Sequence, residues 1–172
     1  RYGLWLWRKI MKVGAPHGIT AYGTEAMHLL RAERGFIITG QDTDGTMTPI
    51  DLGMGWAVKK TKDFIGKRSL SRSDTARTDR RQFVGLSTAD PNFVIPEGAQ
   101  IIGTPQEPAP PVPMLGHVTS SYFSPNLDRS IALALIEGGL SRMGETVYVA
   151  RPGAAPAPAV IGPADFMKEP AE

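Results

Sequence analysis

Apolar and polar positions alternate with two different periods along this chain, and the change of period divides it. The opening, Arg1 to about Val13, reads as an amphipathic helix, which Gly14-Ala15-Pro16-His17-Gly18 breaks. A second helix is predicted from Tyr22 to Gly35. Ala26, Leu29 and Leu30 fall at i, i+3 and i+4 on one face, and Glu33 falls at i+7 on that same face. Gly35 supplies the helix stop, and Arg31 and Arg34 suit the last turn. Phe36–Thr39 follows as a short strand-like run and Gln41–Thr46 as a polar loop. Thr48–Met54 reads as a turn entering a short helical piece, and Trp56–Val58 as a buried strand with Trp56 in the core.

Ser69 to Arg81 is polar, charged and free of apolar periodicity beyond Leu70, which predicts a surface connection or a helix with a thin apolar edge. Beyond it the pattern becomes short strands: Gln82–Ser87, Ala99–Ile102, Met114–Thr119, Ser130–Leu135 and Glu145–Ala150, punctuated by Gly, Pro, Asn or Asp. Even punctuation of this kind favours a small barrel or sandwich. The proline-rich run Pro105–Pro113 lacks the N–H groups of a central strand and is expected to be an exposed loop. Arg151–Pro158 is read in the same way, ahead of a last short strand around Val160–Ile161 and a frayed end from Met167 to Glu172.

At 172 residues and 41% hydrophobic, the chain can bury a real core. Its longest apolar runs, such as Ile131–Ile136, are far short of the ~20 residues of a membrane helix. The first residues are basic and aromatic, without the cleavage pattern of a signal peptide or an initiator methionine, so the chain is expected to begin inside a longer protein. Zero cysteines exclude disulfides, thiolate metal sites and thiol nucleophiles, and fit a cytoplasmic location. The net charge of +2 is uneven: Lys59 to Arg81 holds nine basic and three acidic residues. That cluster suits an anionic small molecule or acidic partner better than nucleic acid, for which no aromatic RNA-binding motif is present.

Glu33 is the residue whose pattern asks for an explanation, because a carboxylate aimed inward must be hydrogen-bonded, paired or neutralised. Pairing with a nearby arginine or placement at a partly solvated rim would satisfy it; so would a ligand carrying two adjacent N–H donors. Other chemistry finds little support. His117 and Ser120 or Ser121 sit at strand separations that make no nucleophile–base couple. Neither the Gly14–Gly18 nor the Gly53–Gly55 region completes a dinucleotide fingerprint. Gln41–Thr46 lacks the later glutamate of a calcium loop, and three histidines without a paired spacing give no metal scaffold. No catalytic residue is assigned.

Leu30-Arg31-Ala32-Glu33-Arg34-Gly35, Thr48-Pro49, Gly55-Trp56 and Asp63-Phe64-Ile65-Gly66-Lys67 together resemble the second half of the glycine-cleavage T-protein (aminomethyltransferase) family. Within it, Gly18-Ile19-Thr20, Tyr22–Met27 and Gln41–Thr46 are most similar to the branch found in sarcosine oxidase alpha subunits. The likeness runs from about Arg1 to about Pro163. It implies an α+β chain: residues 1–68 as the remnant of a folate-binding domain, 69–81 as a basic connection, 82–166 as a small antiparallel β-barrel and 167–172 as a tail.

The resemblance also implies tetrahydrofolate as the cofactor of this region. Glu33 would receive the pterin ring, and Lys62, with Lys59 or Lys60 as substitutes, would meet the glutamate tail. Tyr22 would wall the pocket, with a core tyrosine as its plain alternative. FAD, FMN and NAD, and the family's catalytic aspartate, would lie outside this stretch. The implied activity is oxidative demethylation of sarcosine to glycine, the carbon passing to tetrahydrofolate or, without folate, leaving as formaldehyde. Other subunits of that enzyme are the implied partners, with neither nucleic acid nor membrane. A non-catalytic scaffold for assembly and a stand-alone aminomethyltransferase are the alternatives.

Overall fold

A computed structural model describes residues 1–106 and 110–168. Two helices, α1 (Gly3–Gly14) and α2 (Thr24–Glu33), precede six strands: β1 (Arg81–Thr88), β2 (Gln100–Ile102), β3 (Gly116–Ser124), β4 (Arg129–Glu137), β5 (Thr146–Arg151) and β6 (Ala154–Gly162). Every strand pairing is antiparallel, and the order β1-β4-β3-β2-β5-β6 closes on itself as a barrel. The fold is therefore α+β with a small antiparallel barrel. Among the described residues no helix is long and apolar enough to cross a membrane.

β4 explains why its sequence is an unbroken apolar run. Ala132, Ala134 and Ile136 point into the barrel with Val84, Leu86, Ile101, Val118 and Val147. The alternate residues Ile131, Leu133 and Leu135 point outward, where Ala32 of α2 and Phe83 join them, flanked by Ile37, Met47, Leu52 and Phe166. A strand covered on both faces loses the alternation of a half-exposed one. The outer face of β4 and β3 is thus the floor on which α2 and the following loops are laid. The chain after β6 returns over the same floor: the Phe166 N–H donates to the Glu33 carbonyl at 2.9 Å. Its path runs over Gly85, where a Cβ would lie 2.3 Å from the Pro163 carbonyl oxygen. Gly35, at φ +66°, ends α2 in a conformation that side chains resist, and a Cβ there would meet the Ala164 backbone at 2.7 Å.

Several sequence expectations are corrected. Residues 154–158 are not a loop: Ala154–Gly162 is one strand, with Pro156 and Pro158 inside it. Its ladder with β1 reaches only from Ala159 to Gly162, so both prolines lie where the β1 side carries no pairing, the strand position that tolerates a missing N–H. Trp56–Val58 is not a buried strand: Gly55–Ala57 is a 3₁₀ turn and Trp56 is 80% exposed. Phe36–Thr39 forms no strand beyond a single bridge between Thr39 and Thr43. Leu30 is 45% exposed, because α2 turns Ala32 and Glu33 to the barrel and rotates Leu30 off that face. β3 extends through Ser124, further than the expected turn at Thr119. Of the proline-rich run, residues 105, 106, 110, 111 and 113 are exposed and outside any strand, while 107–109 fall outside the described residues, as do 169–172 of the tail.

Candidate functional site

Glu33 ends α2 with its carboxylate against the turn that joins β3 to β4, and it is 2% exposed. The Ser124 hydroxyl donates to Oε1 at 2.6 Å, and the Asn126 amide donates to Oε1 at 3.1 Å and Oε2 at 2.9 Å. Ser124 is itself fixed, since its Oγ accepts the Leu127 N–H at 3.1 Å. Among the described residues no cation lies within 4.0 Å of the Glu33 carboxylate. The arginine partner that the sequence offered is therefore absent, and three bonds from neutral donors hold the group instead. A carboxylate offers about four acceptor directions, so one remains open here, on Oε2.

Arg31, one position from Ala32 on the helix, is spent elsewhere. Its Nη1 pairs with Asp42 and donates to the Phe36 carbonyl at 3.2 Å, and its Nη2 donates to Ser120 Oγ at 2.7 Å. Asp42, 0% exposed, also accepts the Ile38 N–H at 2.8 Å, Thr119 Oγ1 at 2.5 Å and Ser120 Oγ at 2.8 Å. Gln41 adds bonds to Ser120 Oγ at 3.1 Å and the Thr119 carbonyl at 3.3 Å. This cluster ties the loop after α2 to β3. It also accounts for Ser120, whose hydroxyl serves Asp42 and Arg31 and not His117. A second weld lies nearby: Arg80 Nε donates to Asp51 at 3.1 and 3.3 Å, while Arg80 Nη1 meets Asp74 at 2.6 Å.

The loops between α2 and β1 form an open apolar groove of about 640 Å³, a size that suits a small organic ligand. Met47, Leu52, Met54, Val58, Phe64 and Leu70 line it, and Lys59 and Lys62 stand at it as exposed cations. Asp44 lies at the same groove; its hydrogen bonds from the Thr46 hydroxyl and N–H hold its carboxyl below the usual carboxylate range. His117 is half-buried on β3, and burial, with Arg81 beside it, pushes its imidazole below the usual value against a smaller opposing pull from Asp44.

The sequence-predicted residues are thus separated. Lys62 and Lys59 share the groove; Glu33 and Tyr22 do not line it. Tyr22, 66% exposed before α2, is not a core tyrosine. Sequence reasoning missed Asn126, Ser124 and Asp42. Ser124 and Asn126 lie about ninety residues from Glu33, and only the pairing of β3 with β4 brings them to it.

Family models match along nearly the whole chain: the GCVT N-terminal domain over residues 1–62 and the glycine cleavage T-protein C-terminal barrel domain over residues 81–168. Similar curated proteins include the sarcosine oxidase subunit alpha of Corynebacterium sp. (strain P-1), 51% identical over 147 residues that cover 85% of this chain and 15% of that protein. The subunit alpha of Rhizobium meliloti (strain 1021) is 38% identical, covering 86% and 15%. An aminomethyltransferase of Thermosipho melanesiensis (strain DSM 12029 / CIP 104789 / BI429) is 33% identical, covering 84% and 36%. The chain therefore spans about 15% of the length of the sarcosine oxidase alpha subunits that it matches. Among solved structures, the glycine cleavage system aminomethyltransferase T from Bartonella henselae has the same fold, with a TM-score of 0.75 and 24% identity over 95% of this chain and 43% of that one.

Proposed function

The chain belongs to the glycine cleavage T-protein family, and from that premise we propose that it is the tetrahydrofolate-binding C-terminal portion of a sarcosine oxidase alpha subunit. It would serve the oxidative demethylation of sarcosine to glycine. The observation that carries the reading is Glu33, a carboxylate 2% exposed with no cation within 4.0 Å among the described residues. Leaving a buried charge without a counter-ion costs several kcal/mol, so a folded chain keeps one where it has a use. Recognition of a donor-rich ring is such a use, because a carboxylate accepts two adjacent N–H groups as it does those of an arginine fork.

In this reading Glu33 orients the pterin, Lys62 or its neighbours Lys59 and Lys60 bind the glutamate tail, and Tyr22, exposed ahead of α2 and outside the groove of the lysines, would wall the pterin. Bound tetrahydrofolate would supply the nucleophilic nitrogen that captures the one-carbon unit. The chain's own part is positioning and the exclusion of water. FAD, FMN and NAD would be held elsewhere in the enzyme, by other segments and partner subunits. The test is product partition in the full-length enzyme turning over sarcosine. Tetrahydrofolate should suppress formaldehyde release while glycine formation continues. Formaldehyde yield indifferent to tetrahydrofolate would contradict the proposal.

A second reading has one observation in its favour: Ser124 and Asn126 already satisfy most of Glu33, as they would in a non-catalytic scaffold. In that case Glu33 would serve only to dock α2 on the barrel, and tetrahydrofolate would not bind.

A further inference from the structure

One amide nitrogen, Asn126 Nδ2, straddles both oxygens of Glu33, at 3.1 Å from Oε1 and 2.9 Å from Oε2. That is the side of the carboxylate that a pair of adjacent donors must use, since two-point recognition places one donor on each oxygen. With three of about four acceptor directions engaged, two further donors cannot be added until one present donor leaves. The two residents differ in how readily they can go. Ser124 is buried at the end of β3 and holds a second bond from the Leu127 N–H. Asn126 is an exposed residue of the turn between β3 and β4, and Pro125 and Asp128 on either side of Asn126-Leu127 are exposed too. Its amide can swing into water without disturbing either apolar cluster.

We propose that Asn126 is an exchangeable cap on Glu33: its amide occupies the carboxylate in the folate-free protein and is displaced by the N–H pair of the pterin edge. Ser124 stays in place through the exchange and fixes Oε1. The inference rests on Glu33 being the pterin's acceptor. Hydrogen bonds balance across the step, because two bonds from one amide nitrogen are replaced by two from the ligand, and the freed amide is taken up by water. Binding therefore competes with an internal donor, and the competition lowers affinity by the strength of the cap.

The test is calorimetric titration of the full-length protein with tetrahydrofolate, for wild type, Asn126→Ala, Glu33→Gln and the double variant. Asn126→Ser, whose side chain is too short to span both oxygens, serves as the second truncation if Asn126→Ala does not fold. Removing the cap should tighten tetrahydrofolate binding about fivefold, the net value of an ordinary hydrogen bond, since the exposed amide regains water when it leaves. The gain should vanish in the Glu33→Gln background, where the cap has no carboxylate to hold. A residue that merely shaped the turn would weaken binding or leave it alone when truncated. Unchanged or weaker binding by Asn126→Ala, with Glu33→Gln impaired, overturns the cap and leaves the folate reading standing. Glu33→Gln binding as wild type overturns both.

Discussion

Asp42→Ala should be among the most destabilising single changes in this chain. The side chain is fully buried and accepts from Arg31, the Ile38 N–H, Thr119 and Ser120. Truncation leaves the Arg31 guanidinium, itself buried, without its counter-charge, and leaves two hydroxyls and a backbone N–H short of an acceptor. Removing one partner of a buried pair costs about 3–5 kcal/mol, because the other charge remains desolvated. Arg31 keeps the Phe36 carbonyl and Ser120 Oγ as acceptors, which places the expected loss near the lower end, about 3 kcal/mol. Urea unfolding followed by circular dichroism measures it. The double variant Arg31→Met/Asp42→Leu should recover at least half of the loss, since an apolar pair leaves no charge stranded. A loss below about 1 kcal/mol for Asp42→Ala, or a double variant worse than the single one, would refute the claim that this pair joins α2 and its loop to the barrel.

Arg80→Lys should cost about 1–2 kcal/mol in the same assay, because an ammonium cannot reproduce the fork that serves Asp51, Asp74 and the Thr46 carbonyl at once. His117, with its folded pKa depressed by burial, binds protons less readily in the native state than in the unfolded one. Its contribution is therefore complete above the ordinary value of 6.5 and is lost as pH falls through the depressed folded value; stability measured from pH 7 down to pH 5 should decline less steeply in His117→Gln. Lys62→Ala should leave thermal stability unchanged, as the side chain is exposed, and weaken tetrahydrofolate binding by the full-length protein about fivefold, with a larger loss when Lys59 is removed too.

Much of this architecture was legible in the residues because local signals and tertiary burial agree there. Short strands between Gly, Pro, Asn and Asp announce the barrel, and the register of α2 places Glu33 inward. The failures have a common physical cause. Prolines argue against a strand only where both sides of it are paired, and nothing in residues 154–158 tells that the β1 ladder stops at Ala159. Trp56 looks like core by its type, yet what covers a side chain is set by neighbours far along the chain. Arg31 could be read as a last-turn cation facing solvent, and its true role appears only once β3 delivers Thr119 and Ser120 to Asp42. For the same reason Glu33 could be recognised as buried but not assigned its donors, since Ser124 and Asn126 reach it through the barrel's closure.

The central claim is that the buried carboxylate of Glu33 recognises the pterin ring, and tetrahydrofolate affinity of the full-length enzyme carrying Glu33→Gln tests it most directly. Glutamine keeps the size of the side chain while turning one acceptor into a donor that faces the ligand's own N–H. The mismatch should cost roughly 2–4 kcal/mol, or about thirty- to a thousandfold in affinity, while sarcosine is still oxidised and the carbon leaves as formaldehyde. A correctly folded Glu33→Gln protein that binds tetrahydrofolate as tightly as wild type would contradict the claim and leave Glu33 as the peg that docks α2 on the barrel.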